Sequence, residues 1–443
     1  MKELVKRDLD KIWHPYTQMK DCEDMPPVPI VKAEGIKLYD NTGNFYYDTI
    51  SSWWCNVHGH NHPYIKKAIK KQLDLFEHVL FAGFTHEPAI ELAERLVKIT
   101  PPGLDRVFFS DNGSTAVEVA MKMSVQYWRN NGKKDKTKIV ALDKAYHGDT
   151  VGAMSVSAKG AYTEQFSSML FDTMRVPTPY CYRCPAGKTK GECGTECLSM
   201  LESVLKQSST EIAAVILEPV LMGAGGMIIY PAEYLKGAKS LTEKYDVHLI
   251  ADEVATGFGR TGKMFACEHA GISPDIMCIS KGITSGYLPL AATMVTQEIF
   301  DSFYGPVNEK KTFYHGHTYT ANPVACAAAN ASIELFEKEN TLKNVENIHS
   351  RLEEFLGTVS GLPFVGDTRS VGAVGAIELV KDKTTKEPFP VEERNGLKIY
   401  KQGLKHNILL RPLGDIIYFF LPLCVSNEEL DDIFKKAQKS IIL

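Results

Sequence analysis

The chain has 443 residues, 44% of them hydrophobic and 23% charged, which is typical of a globular protein with two or three domains. A net charge of −4 gives no reason to expect binding to nucleic acid or lipid. The start, MKELVKRDLDKIW, lacks the apolar core of a signal peptide, and no run of about 18 apolar residues predicts a membrane span. Ten cysteines without a secretion signal predict reduced thiols and a cytoplasmic location.

Residues 1–50 are predicted to form an arm followed by a small sheet. The aromatic segment IWHPYTQMK (12–20) and a proline-rich loop come first. Two alternating strands then flank the turn formers at 41–44, which predicts a hairpin. The following segment, SSWWCNVHGHNHP (51–63), has no regular period and predicts a loop crowded with aromatic side chains.

From about residue 86 the pattern alternates between helices and short apolar strands. Such alternation predicts an α/β fold, with a mainly parallel sheet covered by helices on both faces. The predicted helices are 86–99, 112–130, 231–245 and 321–338, and the predicted strands are 106–110, 138–142, 213–217, 248–251, 276–279 and 290–296. Beyond residue 338 the pattern of helix, strands and helix predicts a second α/β unit with its own small core.

Two of these strands end in residues of opposite charge. The run 248–251 leads into Asp252, and the run 276–279 leads through a serine into Lys281. Ligands bind at the carboxyl ends of parallel strands, so the carboxylate and the amine are predicted to lie side by side there. Glu253 is predicted to face away, because neighbours on a strand point to opposite faces.

A lysine and an acid in this arrangement are what a pyridoxal phosphate enzyme requires. The Lys281 amine would form a Schiff base with the cofactor aldehyde, and Asp252 would keep the pyridine nitrogen protonated. The alternative for Lys281 is a solvated turn residue, and the alternative for Asp252 is a cap on the following turn.

Two further motifs follow strand ends. Asn112-Gly113-Ser114-Thr115 opens a helix, where backbone N–H groups and hydroxyls bind phosphate; the alternative is an ordinary N-cap. Tyr146, in the motif AYHGD, is predicted to stack on a pyridine ring; the alternative is a core tyrosine.

Metal binding is considered at two places. The histidines of FYHGHTYTAN (313–322) lack a third ligand, so no metal is predicted there, and Thr318 could instead donate to a phosphate. The cysteines form the pattern C-x2-C-x8-C-x3-C, which leaves open a structural zinc site, reduced thiols or a disulfide. These cysteines are Cys181, Cys184, Cys193 and Cys197.

Several motifs resemble those of the class III, fold-type I aminotransferases, over essentially the whole chain. They are ILEPVLMGAGGM, IADEVATGFGRTGKMFACEH, PDIMCISKGITSGYLPLAA and HGHTYTANPVACAAA. The segments 12–20 and 51–63 are similar to those of one branch of this family, the adenosylmethionine–8-amino-7-oxononanoate aminotransferases of biotin biosynthesis. The resemblance implies pyridoxal 5'-phosphate as cofactor, and a homodimer with two active sites at its interface. It also implies a large cofactor domain of residues 51–337 and a small domain built from residues 1–50 and 338–443.

The resemblance also implies roles for individual residues. Lys281 would be catalytic and would hold the cofactor, together with Asp252. Further cofactor contacts would come from Gly113, Ser114, Tyr146 and, contributed by the partner subunit, Thr318. The substrate pocket would be lined by Tyr16, Trp53, Trp54, Tyr146, Gly316, Arg411 and Tyr418, with Arg411 binding the carboxylate of the keto acid.

The implied reaction is a ping-pong transamination from adenosylmethionine or lysine to 8-amino-7-oxononanoate. Relatives that use glutamate carry a second acid in the stretch that matches residues 218–225, and its absence here argues against a glutamate donor. His317 replaces a proline found in some relatives. The alternatives are an ω-amino acid or diamine aminotransferase, an aminomutase or racemase, and a non-catalytic scaffold around the cysteines.

Overall fold

The computed structural model describes residues 2–160, 162–189 and 192–442. Its strands are β1 Ile30–Glu34, β2 Lys37–Asp40, β3 Phe45–Tyr47, β4 Leu104–Ser110, β5 Lys138–Leu142, β6 Met174–Val176, β7 Ile212–Leu217, β8 Leu221–Met222, β9 Ile228–Ile229, β10 His248–Asp252, β11 Ile276–Ile279, β12 Ala291–Thr296, β13 Val365–Val371, β14 Val374–Leu379 and β15 Ile416–Phe420.

The helices are α1 Lys2–Leu9, α2 Ser51–Trp54, α3 Pro63–Leu73, α4 Glu87–Ile99, α5 Gly113–Asn130, α6 Val151–Val156, α7 Leu198–Ser208, α8 Ala232–Lys244, α9 Gln297–Phe303, α10 Pro323–Lys338, α11 Thr341–Ser360, α12 Asn395–Lys405 and α13 Asn427–Ser440. Within the described ranges, none of them combines the length and the apolar character that crossing a bilayer requires.

The largest sheet has seven strands in the order β4-β12-β11-β10-β7-β5-β6. Strands β6, β5, β7, β10 and β11 run parallel, whereas β12 pairs antiparallel with both β11 and β4. Every residue of β7, β10 and β11 is buried, because helices cover both faces of the sheet. The predicted α/β fold of type I, with a mainly parallel sheet, is confirmed.

Helix α5 packs on one face of this sheet, and helices α7 and α8 pack on the other. On the α5 side, buried alanine and valine residues of the helix contact apolar residues of β5, β7, β10 and β11. The register of β10 against β11 pairs Asp252 with Cys278. The two strands therefore end at the same edge, and the loops that follow them start side by side.

The two ends of the chain meet in a second region. Strands β13, β14 and β15 form an antiparallel sheet, and β1, β2 and β3 form another, which contains the predicted hairpin. Backbone hydrogen bonds connect the two ends: Leu409 N donates to Tyr47 O at 3.1 Å, and Phe420 N donates to Thr49 O at 2.8 Å. The division into a small domain of residues 1–50 and 338–443 and a large domain of residues 51–337 stays a prediction.

The segment Ser51–Trp54 differs from the loop predicted there. Its four residues all have positive φ, from +46° to +78°, and form a left-handed helical turn. Such a turn costs roughly 1–2 kcal/mol per L-residue, so it needs support from its surroundings. Support comes from the Ser51 hydroxyl, which donates to Phe420 O at 2.6 Å, and from Asp48, which accepts from Ser52 N at 2.9 Å.

Candidate active site

A cavity of about 650 Å³ opens where β10 and β11 end. Its walls combine the strand ends with the N-terminus of α5, the loop between β5 and α6, and the turn at Trp54. The lining residues used below are Trp54, Asn112, Gly113, Ser114, Tyr146, His147, Gly148, Asp149, Thr150, Glu218, Asp252, Val254 and Lys281. The structure thus brings together Lys281, Asp252, Tyr146 and the predicted phosphate loop.

Lys281 begins a short 3-10 turn, separated from the end of β11 by one residue, Ser280. Its backbone has φ of +46°, and its amine nitrogen lies 4.5 Å from the centre of the Trp54 ring. Burial lowers the pKa of the Lys281 amine, and the nearby carboxylates of Asp252 and Glu218 act in the opposite direction. A lowered pKa increases the fraction of neutral amine, which is the nucleophilic form.

Asp252 is the last residue of β10, and it is buried. Its Oδ2 lies 2.6 Å from Nδ1 of His147, and its Oδ1 accepts from Val254 N at 3.1 Å. Glu253 takes the opposite direction, as predicted, and accepts from Cys267 N at 2.8 Å. The pair formed by Asp252 and His147 fixes the carboxylate at the cavity wall, where it can face a cationic ring.

The N-terminus of α5 forms a cup at the other end of the cavity. Asn112 caps the helix by accepting from Thr115 N at 3.0 Å. Ser114 Oγ accepts from Thr150 N at 3.1 Å, which joins the helix to the loop before α6. A Cβ on Gly113 would lie 2.5 Å from a methyl of Val254, and a Cβ on Gly148 would overlap Ser114 Oγ. Side chains are therefore excluded where backbone N–H groups and hydroxyls can reach an anion.

Tyr146 and Tyr16 share one carboxylate. Asp149 accepts from the Tyr16 hydroxyl at 2.5 Å and from the Tyr146 hydroxyl at 3.0 Å, and the two hydroxyls lie 3.3 Å apart. Burial and the bond to Asp149 raise the pKa of Tyr16 to about 12, so its hydroxyl stays a neutral donor. The N-terminal arm is thereby attached to the cavity wall.

The two neighbouring tryptophans face different environments, because the left-handed turn separates their side chains. Trp54 is buried in the cavity wall, and its indole N–H donates to the Tyr418 hydroxyl at 3.2 Å. Trp53 is 40% exposed, and its ring lies 4.9 Å from the guanidinium carbon of Arg411 and 5.8 Å from the ring of Tyr16.

Arg411 does not line the cavity that contains Lys281. Together with Tyr16 it lines a second cavity of about 640 Å³, between the N-terminal arm and residues 391–415. Tyr16 therefore contributes its hydroxyl to the network at the first cavity while it lines the second. Tyr418 is buried beneath Trp54, which supports the wall of the first cavity.

Comparison with known proteins decides the family. A family model described as "Aminotransferase class-III" matches residues 18–441. The chain belongs to the class-III aminotransferases.

Curated relatives of this class-III aminotransferase match along its whole length. One from Geobacter sulfurreducens is 49% identical over 438 residues, covering 98% of the chain and 97% of the relative. One from Aquifex aeolicus is 46% identical and covers 99% of the chain and 98% of the relative. Both are named adenosylmethionine-8-amino-7-oxononanoate aminotransferase.

Solved structures show the same fold. The crystal structure of adenosylmethionine-8-amino-7-oxononanoate aminotransferase from Methanocaldococcus jannaschii is 41% identical with a TM-score of 0.93, and each chain is covered over 100% of its length. An (S)-enantioselective omega-transaminase from Thermomicrobium roseum is 33% identical with a TM-score of 0.94, covering 99% of this chain and 98% of the other.

Two further predicted residues of the class-III aminotransferase, like Arg411, are not part of the wall of the Lys281 cavity. Gly316 and Thr318 belong to the segment between α9 and α10 and are not among the residues that line this cavity. The sequence prediction assigns Thr318 to the partner subunit, and its position within a single chain leaves that prediction open.

Three residues that line the cavity have no role predicted from the sequence: His147, Asp149 and Glu218. The sequence did contain a signal for Glu218: like Asp252 and Lys281, it is a charged residue at or just after the end of an apolar run, here the wholly buried strand β7. His147 and Asp149 flank the glycine after Tyr146, and only the folded loop reveals which partners they meet.

The cysteine-rich segment lies outside this site. No group of three or more histidine, cysteine, aspartate or glutamate side chains in the described ranges is arranged to hold a metal ion. All four cysteines are present as thiols. Burial and the neighbouring thiols raise the pKa of Cys197 to about 11, and Cys193 accepts a hydrogen bond from Thr195 N at 3.3 Å.

Proposed function

We propose that this class-III aminotransferase transfers an amino group to 8-amino-7-oxononanoate and forms 7,8-diaminononanoate in biotin biosynthesis, with adenosylmethionine or lysine as donor. The observation that carries the proposal is the common cavity of Lys281, Asp252 and the α5 cup, in a chain up to 49% identical to relatives named for this activity. The aromatic motifs at 12–20 and 51–63 contribute Tyr16, Trp53 and Trp54 around it.

Pyridoxal 5'-phosphate is the cofactor that fits these residues. The cup that lacks side chains at Gly113 and Gly148 would hold its phosphate, and the Asp252 carboxylate would face its ring nitrogen. Tyr146 would cover the ring, and Lys281 would bind the aldehyde carbon. When bound, the cofactor would supply an aldehyde that carries the amino group and a ring that withdraws electrons.

Lys281 would have two tasks in turnover. Its amine is neutral more often than a solvent-exposed lysine, because burial lowers its pKa, and a neutral amine can bind a carbonyl carbon. When the donor amine displaces it, Nζ of Lys281 would hold and move the proton of the donor carbon that carries the amine. His147 keeps Asp252 oriented during both tasks.

The substrate would extend from Lys281 towards Arg411. Trp54 and Tyr146 would line the apolar part of its path, with Tyr418 supporting Trp54 from below. Arg411, held against Trp53, would bind the carboxylate at the far end of the keto acid. Tyr16 lies between the two cavities and would contact the substrate between these ends.

We also propose a homodimer in which each copy completes the active site of the other. Exposed aromatic side chains of the segment that contains Gly316 and Thr318 support this, because Tyr314 is 83% and Tyr319 is 61% exposed in the single chain. Thr318 would donate to the cofactor phosphate of the other copy, and Gly316 would line the other copy's substrate pocket.

A substrate panel tests the proposed activity. The purified enzyme, reconstituted with pyridoxal phosphate, is given 8-amino-7-oxononanoate with adenosylmethionine or with lysine, and diaminononanoate is measured by mass spectrometry. Formation of the product with either donor supports the proposal and identifies the donor. Absence of product with both donors would reject it.

The second candidate is an ω-amino acid or diamine aminotransferase. The match to the omega-transaminase from Thermomicrobium roseum, with a TM-score of 0.94, favours including it. The same panel contains ω-amino acids and diamines with pyruvate as acceptor. A kcat/KM higher for these pairs than for 8-amino-7-oxononanoate would favour the second candidate.

A further inference from the structure

Glu218 is a buried carboxylate at the active-site cavity with no role in the proposed proton transfer. It directly follows β7, and only 3% of its surface is exposed. Its Oε1 accepts from Tyr146 N at 3.0 Å, and its Oε2 accepts from Gly223 N at 2.8 Å. The two oxygens of one carboxylate therefore connect two separate loops.

One of these loops lines the cavity, and the other supports the ring of Trp54, which lines it. One is the loop after β5, which carries Tyr146. The other is the hairpin of β8 and β9, and its residue Gly223 lies so close to Trp54 that an added Cβ would be 3.0 Å from the indole ring. Trp54 in turn faces the Lys281 amine at 4.5 Å. A shift of Glu218 would thus move two residues of the cavity wall, Tyr146 directly and Trp54 through Gly223.

The conformation of the β8–β9 hairpin allows the hydrogen bond between Gly223 N and Glu218 to form. Val220 has a φ of +63°, which is unfavourable for a β-branched residue, and it turns the chain so that Gly223 N points back at Glu218. The Tyr230 hydroxyl donates to the backbone oxygen of Glu218 at 2.6 Å and fixes the start of the turn. Gly225 leaves room for Lys144 O, so the two loops also touch beside the carboxylate.

We propose that Glu218 is a positioning residue: its ionised carboxylate holds the Tyr146 wall and the Trp54 wall at the separation that transamination requires. The inference rests on the proposed function only for its kinetic part. Both partners of the carboxylate are N–H donors, so the ionised form can accept both bonds, whereas a protonated oxygen is a weaker acceptor.

The protonation of Glu218 makes this role measurable. Burial raises the pKa of Glu218 to about 7, opposed by His147 and reinforced by Asp252. The other titratable groups coupled to it are Lys281 and Tyr230. Above pH 7 the carboxylate is ionised and accepts both bonds, and below pH 7 it takes up a proton and one of the two bonds weakens.

Hydrogen exchange of the cofactor-free protein tests the contact without reference to activity. In Glu218→Gln, an amide N–H₂ faces one of the two backbone donors, so peptides that contain Tyr146 or Gly223 should exchange about tenfold faster. Glu91→Gln, the same substitution on the exposed side of α4, is the control and should match the wild type. Unchanged exchange at both peptides in Glu218→Gln would overturn the proposal.

Kinetics of the reconstituted enzyme test the consequence. At pH 8, kcat of Glu218→Gln should fall on the order of 10²-fold with a smaller change in KM, because the walls are displaced. The wild type should also lose kcat/KM as the pH falls through about 7, and the variant should lack this limb. An equal loss at every pH relative to wild type would overturn the role of the ionised carboxylate.

Two results separate the failure of this inference from the failure of the proposed function. If Glu218→Gln does not fold, Glu218→Asp keeps the charge with a shorter reach and should show the same faster exchange at one of the two peptides. If the wild type forms no diaminononanoate, the proposed function fails, while the exchange rates still decide whether Glu218 joins the two walls.

Discussion

Lys281 is the residue on which the proposed chemistry depends most. Lys281→Ala removes the amine that binds the carbonyl carbon and moves the proton, so turnover should fall by more than about 10³-fold. The exposed lysine variant Lys263→Ala should keep wild-type turnover. Borohydride reduction of the reconstituted enzyme followed by peptide mapping should label Lys281, and a label on another lysine would contradict the assignment.

At the residue scale, the sequence predicted which reactive side chains share the cavity, but it did not predict the hydrogen-bond partners that orient them. Asp252 and Lys281 were predictable because each closes an abrupt apolar run, and parallel strands bring such ends together. His147 and Glu218 were missed, because hydrogen bonds between loops depend on backbone turns such as that at Val220. No local pattern predicts a positive φ at a valine.

The N-terminus of α5 makes a prediction at the scale of the element. Gly148→Ala would place a methyl against Ser114 Oγ, so the dissociation constant for pyridoxal phosphate should rise by about tenfold or more. Gly132→Ala is the matched control: its φ of +81° is also positive, but nothing lies within 4 Å of the added carbon. Both variants should lose about 1 kcal/mol of stability from the strained backbone, measured by denaturant unfolding.

Equal affinities for pyridoxal phosphate in the two glycine variants would contradict the proposal that the cup at the N-terminus of α5 holds the cofactor phosphate. Each apoprotein is titrated with pyridoxal phosphate, and the quenching of its tryptophan fluorescence gives the dissociation constant. Denaturant midpoints then show whether the two substitutions destabilise the protein to a similar extent.

Most elements of the large sheet were predictable, and the exceptions have physical causes. The predicted helices 86–99 and 112–130 begin at residues that are N-caps in the structure, which places α4 and α5 within one residue of those bounds. Strands β6, β8 and β9 have only two or three residues each, too few for a period to be visible. The pairing of β12 antiparallel to its neighbours depends on the route of the connecting loops, which composition does not reveal.

At the scale of the whole molecule, mixing of two inactive variants tests the shared site. Thr318→Glu would repel the phosphate, and Lys281→Ala lacks the amine. If Thr318 serves the other copy, a mixed dimer contains one intact site, and an equal mixture of refolded subunits should recover about a quarter of wild-type turnover. Recovery of no activity would place Thr318 in the site of its own chain.

Acid stability is a second property of the whole molecule. His58 and His248 are buried, and burial lowers the pKa of each to about 4. The unfolded chain binds protons at these residues below about pH 6.5, whereas the folded chain stays neutral, so stability is lost as the pH falls from 6.5 towards 4. Each histidine contributes roughly 3 kcal/mol to this loss.

Thermal unfolding at several pH values checks this expectation. The unfolding midpoint of the wild type should fall between pH 6.5 and pH 4.5, and His248→Gln should show a smaller decrease over the same range. His349, on α11, has a side chain that is 35% exposed, and it provides the control His349→Gln, which should follow the wild type. A variant His248→Gln with an unchanged pH dependence would contradict the lowered pKa.

The organisation of the whole chain was predictable in outline only. The family resemblance implies a small domain made from both chain ends, which stays a prediction, and backbone hydrogen bonds connect residues 47–49 with residues 407–420. The second cavity beside Arg411 was not predicted, because it forms between segments almost 400 positions apart in sequence. Its presence separates the place where the carboxylate is expected to bind from the place where the amine reacts.

The left-handed turn at Ser51–Trp54 sets a trade-off for anyone who engineers this enzyme. Four residues in succession have an unfavourable backbone conformation, and hydrogen bonds to Asp48 and Phe420 hold them in it. The segment therefore keeps its conformation at a cost in stability. Glycine relaxes such a backbone, and Ser52→Gly should raise the melting temperature while broadening the range of amines accepted. Thermostability and substrate selectivity would then be in opposition at one position that lines neither cavity.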